Sequence, residues 1–113
     1  MIALDIEIAR EGAATVVRPQ GEIDVRTVPA LRRALDDAFA AGGADLVVDL
    51  SAVTFIDSSG LGALLGRYRR MPAGRSMILR APRPHVLALL RLAGVPTLMR
   101  VDGGPEETAT HGA

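Results

Sequence analysis

Val47-Val48-Asp49-Leu50-Ser51-Ala52-Val53-Thr54-Phe55-Ile56-Asp57-Ser58-Ser59-Gly60-Leu61-Gly62 is the stretch around which the rest of the chain is arranged. Leu46 to Leu50 is a short, mostly β-branched apolar run, the pattern of a strand buried on both faces. A polar turn follows through Ser51 to Ile56. Asp57, Ser58 and Ser59 are then residue types that cap helices. From Leu61 the apolar residues Leu61, Leu64, Leu65 and Tyr68 recur at i, i+3, i+4 and i+7, the stripe of an amphipathic helix. A second stripe at the same spacing, Ser59, Gly62, Ala63 and Gly66, holds only small residues and should face away from the core.

That small stripe has a cost. A glycine inside a helix is about 1 kcal/mol less favourable than alanine, so Gly60, Gly62 and Gly66 together weaken the helix by ~2–3 kcal/mol. Two readings stay open from the residues alone. Another element of the same chain packs closely there, or a partner protein's backbone approaches it. The serines are equally two-sided. They cap the helix, or one of them carries a phosphate, which free N–H groups and the positive end of the helix dipole would accommodate. A phosphate adds about −1.5 to −2 charges beside Asp57, enough to expel a partner seated on Ser59, Gly62 and Gly66.

Phe55-Ile56-Asp57-Ser58-Ser59-Gly60-Leu61-Gly62, continued through Leu64-Leu65-Gly66-Arg67-Tyr68, resembles the signature of bacterial anti-sigma factor antagonists. These are single STAS domains, and the resemblance is strongest to the sporulation type that is phosphorylated by its anti-sigma factor kinase. It extends over roughly residues 2–101. The resemblance, and not the chemistry of two adjacent hydroxyls, selects Ser58 as phosphoacceptor over Ser59. It also brings Glu22 and Asp24, in Gly21-Glu22-Ile23-Asp24, to the neighbourhood of the phosphorylation site. The expected partner-binding set is therefore Glu22, Asp24, Asp57, Ser59, Gly62, Ala63, Gly66 and Arg67.

Composition limits the alternatives. The chain has 113 residues, enough for one small domain, and its formal net charge is zero, so nucleic acid is not the expected main partner. All basic residues are arginine, and there is no cysteine, which removes disulfides and thiolate metal sites. No cofactor or metal is expected. No apolar run reaches a membrane span and no signal segment opens the chain, so a cytoplasmic protein without membrane contact is expected.

Taken in order, residues 2–8 alternate apolar and acidic as a half-buried edge strand, and Ala14 to Pro19 gives a second, antiparallel strand. Gly21 to Asp24 reads as a polar loop. Thr27 can cap a helix with Pro29 in its first turn. Leu31, Ala34, Leu35, Ala38 and Phe39 are its buried stripe. Arg32, Arg33, Asp36 and Asp37 are its solvated face, with opposite charges four apart. After the junction helix, Arg67, Arg69 and Arg70 read as partners of the helix C-terminus or as groups meeting an acidic partner. Met77 to Leu79 is a further parallel strand. Val86, Leu89, Leu90 and Ala93 mark a third helix, with His85 solvated in its first turn, and Thr97 to Val101 a last edge strand. The expectation is one α/β STAS-like domain over residues 1–101, a mixed, mostly parallel sheet of about five strands covered by three or more helices. A disordered tail is expected over 102–113.

Competing functions lack their chemistry. A receiver domain needs a lysine near the last strand and an acidic pair after the first strand; here there is no lysine and the pair follows the second. A serine hydrolase with a nucleophile elbow needs Gly-x-Ser-x-Gly, which the junction lacks. The expected function is an antagonist that binds an anti-sigma factor serine kinase while unphosphorylated, frees the sigma factor, is switched off at Ser58 and is reset by a phosphatase. It is not expected to be an enzyme. The alternative is a STAS module of another complex, in a stressosome, in lipid transport or in nucleotide binding.

Overall fold

The computed structural model describes residues 4–103. The elements run β1 (Asp5–Glu11), β2 (Ala14–Ile23), α1 (Val28–Ala40), β3 (Asp45–Asp49), β4 (Val53–Ile56), α2 (Ser58–Arg69), β5 (Ser76–Arg80), α3 (Pro84–Leu92), a 3-10 turn (Val95–Thr97) and β6 (Arg100–Asp102). The strand order is β1-β2-β3-β5-β6, with β4 joined to the far half of β2. β1 is antiparallel to β2; the other pairings are parallel. This is the expected mixed, mostly parallel α/β sheet, with six strands in place of about five.

The added strand is β4. Val53 and Ile56 are buried while Thr54 and Phe55 between them are exposed, so no alternation announces a strand. Its partner is the segment expected to be a loop: Gly21, Glu22 and Ile23 continue β2 past a register shift and pair with Val53, Phe55 and Ile56. Pro19 falls between the β3-paired and β4-paired halves of β2, where the ladder on that side is already interrupted. The last strand also lies later than expected. Val95–Thr97 turns as a 3-10 helix, and β6 starts at Arg100. Asp102, the first residue of the expected tail, closes β6; the tail beyond Gly103 lies outside the described residues.

The helices all pack on one face of the sheet. Val17, Leu46, Val48, Met77 and Leu79 meet Leu31, Leu35, Leu64, Val86 and Leu90 there in a single aliphatic core. The strand residues of opposite parity, Val16, Val47 and Ile78, form a separate small cluster that contains no helix residue. They are nonetheless buried. Arg80 bridges Glu11 at 3.0 Å and Asp49 at 3.1 Å, so long side chains reach across the sheet on this side. Stems of charged residues can cover an apolar row in this way.

Because the main strands are parallel, the carboxyl ends of β2 and β4 open on one edge, where α/β folds place their sites. The β4–α2 junction lies on that edge.

Candidate functional site

Asp57 is the N-cap of α2, in extended conformation, and its N–H donates to Ile23 O at 3.1 Å. Its Oδ1 accepts the N–H of Ser59 at 2.9 Å, the N–H of Gly60 at 3.2 Å and the Ser59 hydroxyl at 2.5 Å. These bonds satisfy donors that a helix start leaves orphaned. The bond from the Ser59 hydroxyl, chiefly, and those from the N–H groups hold the Asp57 carboxyl below its ordinary range against the opposing effect of desolvation. Ser58 is exposed, and its hydroxyl makes no hydrogen bond among the described residues. The two serines, indistinguishable by type, are therefore unlike in setting.

Gly60 is where α2 is pinned. A Cβ there would lie 2.6 Å from both Ile23 Cγ2 and Ile56 Cγ1. Only a bare residue lets the first turn settle onto β2 and β4, and this sets how α2 is rolled. The buried line is Gly60, Ala63, Leu64 and Arg67. Leu61, Leu65 and Tyr68, expected with Leu64 as the core stripe, are only partly buried at its flank. The Tyr68 hydroxyl donates to Leu98 O.

The expected partner face is consequently split. A Cβ added at Gly62 or Gly66 would meet nothing within 4 Å, so both are bare toward solvent. Ala63 is not: at 4% exposure it belongs to the core and lines the contact with α1. Arg67 also turns inward, at 7% exposure. Its Nη1 pairs with Asp36 at 3.0 Å, its Nη2 donates to Arg70 O at 3.2 Å, and its guanidinium lies 4.1 Å from the centroid of Phe39. Arg75 stacks on the same ring at 4.3 Å. Asp36 accordingly reaches across to α2 and is not the partner of Arg32 on its own helix. A buried guanidinium needs a counter-charge more than an exposed one does.

Glu22 and Phe55 are register neighbours and both are exposed. Asp24 is occupied by its own loop. Its Oδ1 accepts from Arg26 N at 2.9 Å and Thr27 N at 3.2 Å. Thr27 does not cap α1 with its side chain. Its hydroxyl donates to Glu22 O and accepts from Asp24 N, both at 2.9 Å, tying the end of β2 to the start of α1. The structure brings Glu22, Asp24, Asp57, Ser58 and Ser59 to one edge, and adds Val25 and Phe55, exposed at 70% and 47%. Val25 N–H also donates to Asp57. No sequence pattern marks either apolar residue as surface.

Three carboxylates share one direction of shift. At Asp24 desolvation acts upward but is outweighed by the N–H groups of Arg26 and Thr27. At Asp49 desolvation is again outweighed, by Ser51 and Arg80. With Asp57 they have folded pKa values below the ordinary 3.8. A lowered folded value adds stability that is complete above the unfolded pKa and is lost as pH falls through the folded one. The urea midpoint should therefore fall steadily as pH drops from about 5 to 3. Asp57→Asn, which still caps, should flatten part of that slope; an unchanged slope would remove Asp57 from the account.

The chain matches the STAS domain family over residues 5–107. It is 33% identical over 100 residues to an anti-sigma F factor antagonist of Paenibacillus polymyxa, covering 87% of this chain and 86% of that one. An anti-sigma factor antagonist from Mycobacterium paratuberculosis superposes with a TM-score of 0.84 at 28% identity, covering 96% of this chain and 92% of that one. The Bacillus cell fate determinant SpoIIAA, solved in its phosphorylated form, superposes with a TM-score of 0.64 at 27% identity, covering 96% of this chain and 100% of that one. No helix among the described residues is long and apolar enough to cross a membrane.

Proposed function

Because the chain belongs to the STAS domain family and is closely related to anti-sigma factor antagonists, we propose that it is such an antagonist, switched by phosphorylation at Ser58. Unphosphorylated, it docks an anti-sigma factor that is also a serine kinase, and the sigma factor is freed. The kinase moves the γ-phosphoryl group of ATP to Ser58 Oγ, the bond to the β-phosphate breaks so that ADP leaves, and the hydroxyl proton is released. The complex then separates, and a phosphatase restores the docking form. The chain is ligand and substrate here, and the catalysis belongs to its partners.

The observation that carries this reading is the difference between the serines. Ser58 is exposed with a free hydroxyl, whereas the Ser59 hydroxyl is committed to Asp57. The lowered pKa of Asp57 also makes it a poor base for activating Ser59. Gly62 lies one turn beyond Ser58 on the outward side, with open space above it. A partner backbone resting there has the Ser58 hydroxyl at the rim of the contact. A phosphate at that rim places about −1.5 to −2 charges next to an ionised Asp57 and under the partner. The helix dipole tolerates the same group within this chain, so the surface changes more than the fold.

Glu22, Val25 and Phe55 extend the docking surface along the sheet edge. Ala63 and Arg67 serve it from beneath by fixing α2 on α1, and Asp24 by holding its loop.

The test is incubation with the anti-sigma factor kinase encoded in the same genome and ATP, followed by peptide mass mapping and gel filtration. One phosphate on Ser58 and loss of the complex are expected. Ser58→Ala should remain bound and unmodified. Phosphorylation of Ser59 at the normal rate in that variant would sink the assignment.

A further inference from the structure

Beside the bare face of α2 runs a groove between α1 and α2, lined by Arg32, Asp36, Ala63, Gly66, Arg67 and Arg70. Its volume is about 140 Å³. Small-molecule sites run to about 300–1,000 Å³, so this space suits a single side chain. The floor is open because Gly66 has no side chain and nothing lies within 4 Å of where one would start.

The charge of the groove is unbalanced. Three guanidinium groups face one carboxylate. Asp36 is shared between Arg67 at 3.0 Å and Arg70 at 3.4 Å. Arg32 makes no ion pair among the described residues. Arg67, over nine-tenths buried in the groove wall, keeps an Nε–H with no acceptor. The groove is thus short of negative charge. Arg70 is 63% exposed on its side chain and makes the longer of the two contacts to Asp36, so it can turn to a new anion.

We propose that this groove receives a carboxylate side chain of the docked anti-sigma factor, held between Arg32 and Arg70 above Gly66. The inference rests on the docking reading and adds an orientation to it. Gly66 lies two turns from Ser58, about 12 Å along the helix. The partner then spans α2 with an acidic residue at the arginine end and its phosphate-sensitive contact at the Ser58 end. Net attraction at one end steers encounter, and the added phosphate acts at the other.

The experiment uses the kinase from the test above and follows association with wild type, Arg32→Glu/Arg70→Glu and Arg70→Lys at low and high salt. The double reversal should slow association about tenfold or more at low salt and flatten its salt dependence. Arg70→Lys should stay near wild type. Both arginines are exposed, so the melting temperature of the double reversal should fall only slightly, through loss of the Arg70–Asp36 pair and repulsion at Asp36. Scanning the partner's acidic residues should find one whose loss is non-additive with Arg70→Gln. If the wild type binds and is phosphorylated on Ser58 while the double reversal keeps wild-type rates, the groove proposal fails and the docking reading stands. If the wild type does not bind, both fail.

Discussion

Replacing Gly60 by alanine should lower the stability of the chain by about 2 kcal/mol, although alanine is the better helix former. Helix propensity alone would favour the substitution by about 1 kcal/mol. The new methyl would stand 2.6 Å from branch carbons of both Ile23 and Ile56. Those atoms sit close to their backbones on stiff, β-branched side chains and cannot swing aside. Forcing a methyl group into such a site typically costs about 1–3 kcal/mol, and two simultaneous clashes put this case at the upper end. The readout is the urea midpoint at neutral pH. A variant as stable as the parent would mean that α2 slides outward freely, and the roll assigned to it would be wrong.

Gly62→Leu should do the reverse: leave the fold intact and weaken docking. A side chain at Gly62 meets nothing in its own chain. Gly62→Ala should even stabilise, by about 1 kcal/mol. A leucine there projects into the space assigned to the partner. Loss of a central contact costs about 2 kcal/mol or more, roughly thirtyfold in affinity. Calorimetric titration with the kinase, paired with a melting curve, separates the two effects. A well-folded Gly62→Leu chain that binds normally would move the docking surface elsewhere. The contrast between Gly60 and Gly62 is sharp because the residues are alike and only two positions apart.

That contrast also marks what a one-dimensional reading can reach. β3 and β5 were visible as apolar runs, and α1 as a stripe of buried residues. The cap, the acidic segment and the bare patch were visible as residue types. The roll of α2 was not. Leucines dominate a hydrophobic pattern, but the depth of Gly60 and Ala63 is decided by Ile23, Ile56 and α1, distant in sequence. The burial of Arg67 was hidden for the same reason: an arginine late in a helix reads as solvated until Asp36 and Phe39 arrive from 31 and 28 residues upstream. β4 was missed because its middle residues both face outward.

The helix-free side of the sheet offers a practical handle. Glu7 lies there opposite Arg18, in an exposed ion pair of the kind that contributes little to stability. The sequence contains no cysteine, so a thiol introduced at Glu7 would be unique. A fluorophore or solid support attached through it would leave α2 pointing into solution, whereas coupling through α2 would blind any measurement of its own target.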